Sequence, residues 1–170
     1  RFGKFIEMRF SDRGRLLGAF IDTYLLEKAR IVGHTCGEQT YHIFYEVLAK
    51  GSLTEAMRRE LMIENTSTAD FVITTSDGSQ NNSKLCHSEF DDHCKMFLEL
   101  RSAMGTLSFN QNEQMEIFQV VCALLHLSNL TLNDAFVDIN DGEECKLNEN
   151  NLSLKRALSL LGVPYAALDS

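Results

Sequence analysis

The chain has 170 residues, the length of one domain or a large part of one. A hydrophobic fraction of 44% is ordinary for a protein with a real core. Sixteen Lys and Arg against twenty-four Asp and Glu give a formal charge of -8, which argues against nucleic-acid binding, since that needs a concentrated basic face. An anionic ligand is still compatible with this balance, because backbone amides and one well-placed Arg can bind phosphate on an acidic protein.

In chain order, Phe5 to Phe10 largely alternates apolar and polar residues and reads as a strand. Ser11-Asp12-Arg13-Gly14-Arg15 is turn chemistry, and Gly18 to Leu26 reads as a second strand, completing a hairpin. Glu38 to Lys50 carries Tyr41, Phe44, Tyr45 and Leu48 on one helical stripe, with Gly51 as its C-terminal cap. Leu53 to Ile63 is predicted to be a further helix, with Arg58-Arg59-Glu60 on its wet side. Residues 64–88 are polar, apart from the island Phe71-Val72-Ile73. Ser88, three residues before Asp91, opens a helix with Phe90, Cys94, Phe97 and Leu98 on one face.

Asn110, with Glu113 three residues on, starts the most strongly periodic helix, with apolar positions Ile117, Phe118, Val121, Leu124 and Leu125. Leu130-Thr131-Leu132 reads as a short strand. Residues 133–150 are acidic, with a hairpin turn at Asn140-Asp141-Gly142. Leu152 to Leu161 is the last full helix, closed by Gly162, and Pro164 suits the first turn of another. The sum is an α+β segment, mainly helical, with a two-strand hairpin. Two strands alone cannot bury both faces of a sheet, so the remaining strands are expected from elsewhere. Both chain ends read as cut from something longer.

Few residues suggest chemistry by themselves. Cys36, Cys86, Cys94, Cys122 and Cys145 are odd in number and irregular in spacing, which favours a reducing compartment over a disulfide scaffold. Cys86, His87, His93 and Cys94 are metal-type residues, but the adjacent His93 and Cys94 would diverge on a helix; no metal is expected there. His126 and His42 read as structural histidines, and Cys122 as a small hydrophobe. The sequons at Asn65, Asn81, Asn129 and Asn151 are the kind that arise by chance in such loops, and neither a signal peptide nor a membrane-length apolar run is present. Arg1-Phe2-Gly3-Lys4-Phe5 has two readings: a loop entering a strand, or a fixed guanidinium for a phosphate or carboxylate.

Several segments, in order, resemble one family. Arg1 to Phe5 resembles the end of switch I in myosin motor heads. Thr23 to Arg30 resembles the family's TYLLEKSR run, and Gly37 to Tyr45 resembles GERNYHIFY. Ala123 to Leu130 resembles AILHLGNI, and Leu160-Leu161-Gly162-Val163 matches LLGV. Gln39 stands where the family has Arg, and Ser128 where it has Gly.

The resemblance implies part of a P-loop NTPase-type motor domain. Residues 1–5 would end switch I, 5–26 would be two strands of the central sheet, and 38–132 a helical region. Residues 133–150 would be an acidic surface loop and 151–170 a helix with the start of the next. It further implies an ATP hydrolase that uses Mg2+ and moves along actin, with calmodulin-like light chains on a neck outside this chain. A cytoplasmic, cytoskeletal location goes with it. Arg1 would be the catalytic residue and Arg1, Phe2, Gly3 and Lys4 the nucleotide-side residues, with no metal ligand in the chain. The acidic loop would face acidic actin, with contact that is repulsive or bridged by basic partners. A second class stays open: a non-catalytic cytoskeletal interaction module derived from a motor head.

Overall fold

The computed structural model describes residues 3–31, 33, 38–75, 92–130 and 148–168. Strands β1 (Gly3–Phe10) and β2 (Leu16–Tyr24) pair antiparallel, with Gly3 opposite Tyr24 and Arg9 opposite Gly18. The register shifts between Arg9 and Phe10, where Phe10 faces Leu16. The turn follows the expected chemistry: Gly14 takes φ +75°, and the Ser11 hydroxyl accepts from the Arg15 amide at 3.1 Å. The second strand stops two residues sooner than its apolar run suggests. Leu25 turns to φ +58°, a left-handed conformation that no strand continues through.

Helix α1 (His42–Leu48) is shorter than the predicted Glu38–Lys50. Tyr41 is extended and Ala49 ends the helix, while Gly51, at φ +90°, turns the chain two residues later. Helix α2 (Glu55–Glu60) starts where Thr54 accepts from the Met57 amide, and it closes at Leu61 before Met62 turns left-handed. A 3-10 turn at Thr68–Asp70, with a Ser67/Asp70 capping box, leads into the short α3 (Val72–Thr75). Helix α4 (His93–Thr106) is capped by Asp92. Helix α5 (Gln111–Leu127) carries the Asn110/Glu113 box, and α6 (Leu152–Leu161) runs from an Asn151 cap to Gly162 at φ +64°. Pro164 precedes a 3-10 turn at Tyr165–Leu168. The expected loop over Ser76–Lys84, the Ser88 helix start, the strand at 130–132 and the hairpin turn at 140–142 fall wholly or mainly outside the described residues.

The core lies among the helices. α1 packs on α4 and α5, and α6 packs along α5. Phe44, Val47, Leu61, Ile63, Phe71, Phe97, Phe118, Cys122 and Leu125 form its centre. The stripes are rotated from those expected. On α4 the buried positions are Phe97 and Met104, with Leu100 packed beside them, whereas Leu98 is half-exposed. On α5, Gln114, Phe118, Cys122 and Leu125 face inward, and Ile117 and Leu124 lie at the edge. Polar Gln114 can join this stripe because it donates to the Phe109 carbonyl at 3.1 Å and accepts from Arg101.

Arg58 departs from its expected place as well. It is only 9% exposed, not on a wet face. Its guanidinium donates to the carbonyls of Leu48, Ile63 and Thr66, the last at 2.7 Å. An isolated buried cation is costly, and these main-chain dipoles offset that cost while pinning the turn after α2.

His126 is structural, as its lone position suggested. It is 1% exposed, and its Nε2 lies 3.0 Å from the Met62 carbonyl, which can only accept, so Nε2 donates. Phe71 meets the ring edge-on at 5.5 Å. Burial, more than any other cause, holds the imidazole below its ordinary value of 6.5. The unfolded chain therefore takes up a proton near pH 6.5 that the folded chain refuses. This contribution to stability is complete above pH 6.5 and declines as pH falls toward the lower folded value. Urea midpoints measured from pH 7.5 to pH 5 should fall more steeply for the native sequence than for His126→Gln, which keeps a donor but does not titrate; parallel curves would contradict the assignment. Glu46, pushed up by burial, contributes with the opposite sign, and setting the native sequence beside His126→Gln cancels it.

Candidate functional site

Arg1 and Phe2 lie outside the described residues. Gly3 and Lys4 open β1, with Lys4 opposite Thr23. Gly3 has a definite steric reason: a Cβ there would overlap the Tyr24 ring across the ladder. Tyr24 is half-exposed, so its ring can swing aside. Overpacking costs about 1–3 kcal/mol, whereas Gly to Ala in a strand returns roughly 0.5–1 kcal/mol. Gly3→Ala should therefore destabilise slightly in the native background and stabilise in a Tyr24→Ala background. A double-mutant cycle on urea unfolding reads this reversal of sign, and additive effects would rule the contact out.

Beyond Leu25 the chain enters a junction that sequence reasoning missed. Arg30 sits in a short 3-10 turn, Lys28–Ile31, with its side chain 10% exposed. Nη2 donates to Glu27 Oε2 at 2.9 Å and to Glu38 Oε2 at 2.7 Å, and Nη1 donates to the Gln39 carbonyl at 2.7 Å. The Thr40 hydroxyl donates back to the Arg30 carbonyl at 3.1 Å, and the Tyr41 hydroxyl donates to the Glu27 carbonyl at 2.7 Å. Glu38, then Glu27, pushes the Arg30 guanidinium above its ordinary value, and the Arg30 hydrogen bond is the main cause holding the Glu27 carboxylate down. Arg30 thus pairs with Glu38 and also donates to the Gln39 carbonyl. The signal available in sequence was Glu27 and Arg30 three apart, a spacing that lets them meet in one turn.

A cavity of about 460 Å³ opens between the end of α1, α2 and the 65–68 turn, with His93 at one side. Arg58 lies on its wall, but its strongest hydrogen bonds go to main-chain carbonyls, so it serves the turn and is not presented as an anion receptor. His93 stacks on Tyr45 with ring centroids 5.5 Å apart. Of the other metal-type residues, Cys86 and His87 lie outside the described residues, and Cys94 Sγ sits against Gly51. Cys122 is fully buried, and burial pushes its thiol up to about 12, which leaves it unreactive.

These features define a class of protein: a mainly helical body carrying an antiparallel hairpin, with Gly3 and Lys4 opening the first strand. The family of the myosin head (motor domain) matches residues 1–170, and the chain belongs to that family. It is 36% identical over 169 residues to Myosin-2 heavy chain, non muscle, of Acanthamoeba castellanii, covering 99% of this chain and 10% of that protein. It is 38% identical over 168 residues to Myosin-VIIa of Drosophila melanogaster, covering 99% of this chain and 7% of that protein. Human Unconventional myosin-Vb is 32% identical over 169 residues, again covering 99% of this chain and 8% of that protein. The chain thus spans a tenth or less of the length of these relatives. No helix among the described residues is long and apolar enough to cross a membrane.

Proposed function

We propose that this chain is a segment of an actin-based motor that couples ATP hydrolysis to movement along actin filaments. The observation that carries this reading is the hairpin. Phe5, Met8, Phe10, Leu17, Phe20 and Ile21 are each more than half-exposed, on both faces of a two-stranded sheet. Such a sheet is not stable alone and needs further strands on its edges and apolar cover on its faces. In a P-loop NTPase-type motor domain the other strands of a central sheet would supply the first, and helices packed on that sheet the second. The start of the first strand, at Gly3 and Lys4, would then stand beside the nucleotide, finishing switch I.

Within that frame Arg1 is the residue that acts. Its guanidinium would pair with a carboxylate of switch II and close the phosphate pocket around the attacking water. Bound Mg2+ and ATP would supply the leaving group and neutralise the phosphate charge. Among this chain's residues, Arg1 fits that setting by charge and fork geometry, while Gly3 is already committed to the Tyr24 ring. Phosphate-loop and magnesium-binding residues would come from other parts of the head. The chain alone should therefore neither bind nor hydrolyse ATP. Light chains would sit on a neck elsewhere, and the acidic 133–150 stretch would face actin.

Co-sedimentation of the complete polypeptide with filamentous actin tests the reading. It should pellet with actin in the absence of nucleotide and be released by Mg-ATP. Pelleting that ATP leaves unchanged would favour a non-catalytic cytoskeletal module instead.

A further inference from the structure

The hairpin and the helical body share little packing. β1 and β2 pack broadly only on each other among the described residues, whereas α1, α4, α5 and α6 form a connected body. The hydrogen bonds between residues 27–30 and 38–41 therefore occupy a mechanical position, between the exit of β2 and the entry of α1. Leu25, 82% exposed at φ +58°, lies immediately before this junction. A non-Gly residue held left-handed is strained, and surrounding contacts must fix it.

We propose that Arg30 is a positioning residue for the motor cycle: it clasps the end of β2 to the start of α1, so that movement of the hairpin is delivered to the helical body. This rests on the motor function proposed above. The chemistry favours Arg specifically. Three acceptors converge on one planar fork, which Lys cannot satisfy together. Both Glu27 and Glu38 accept from the same Nη2. Removing the guanidinium would leave two carboxylates close together, and their repulsion would open the clasp. Glu38→Gln removes one charge without creating that repulsion, so it should loosen the clasp less than Arg30→Met.

The test is ATP turnover of the complete polypeptide, with and without actin. For Arg30→Met, turnover without actin should stay within about twofold, while activation by actin falls about tenfold, within the range of coupling between sites. Arg30→Lys and Glu38→Gln should show intermediate losses of activation, and they carry the test if Arg30→Met does not fold. A purely structural clasp would lower the melting temperature and leave activation unchanged at temperatures below it. That result, in any folded variant of the three, overturns the inference alone. Native protein that actin does not activate overturns the motor reading, and the inference with it.

Discussion

Replacing Arg1 with Ala in the complete polypeptide is expected to lower ATP turnover by on the order of 10²-fold or more while changing nucleotide affinity little, the pattern of a group whose interaction forms only as the reaction is set up. The reasoning is electrostatic. A guanidinium paired across a closing pocket acts after the nucleotide has bound, so the ground-state complex loses little without it. Water excluded by that closure strengthens the remaining interactions, which makes the loss larger than that of an exposed ion pair. Arg1→Lys should recover little, because one ammonium cannot reproduce a two-point contact with a carboxylate. Single-turnover kinetics separate the steps. Collapse of ATP affinity with normal turnover of bound nucleotide would show that Arg1 holds the ligand and does not close the site.

The largest expected loss of stability lies at Phe118. It is fully buried on α5, with its ring centroid 5.0 Å from that of Phe97 on α4 at a 41° tilt. The pair sits in the buried cluster that the helices share, so removing the ring leaves a void among packed side chains. Phe118→Ala should cost about 3–5 kcal/mol, a large share of the roughly 5–15 kcal/mol that holds a typical domain together. Val120→Ala, half-exposed on the same helix, should change stability by no more than about 0.5 kcal/mol. Urea unfolding of both variants reads the contrast. Equal, small effects would mean that α4 and α5 are not joined through this pair.

Local chemistry made much of the fold legible. The Asn110/Glu113 box and the Asn151 and Gly162 caps announce their helices because each satisfies end groups within four residues of itself. The hairpin followed from alternation and from the Ser11–Arg15 turn. What stayed hidden depends on distant partners. The run Thr23 to Leu26 continues an apolar strand pattern, yet the backbone turns at Leu25. Arg58 looked solvated inside a charged run, but carbonyls as far as ten residues away draw it inward. Glu38 looked like the first residue of a helix and is instead drawn to Arg30, eight residues earlier. The expectation for residues 1–4 rests on motif order. Arg1 and Phe2 carry no periodicity or spacing of their own that separates a catalytic arginine from a loop residue.

Steady-state hydrolysis of Mg-ATP by the complete polypeptide, measured against rising concentrations of filamentous actin, tests the central claim most directly. The motor reading predicts turnover that climbs with actin to saturation in the native protein and stays near zero in Arg1→Ala throughout. Hydrolysis that is absent, or present but indifferent to actin, would contradict it.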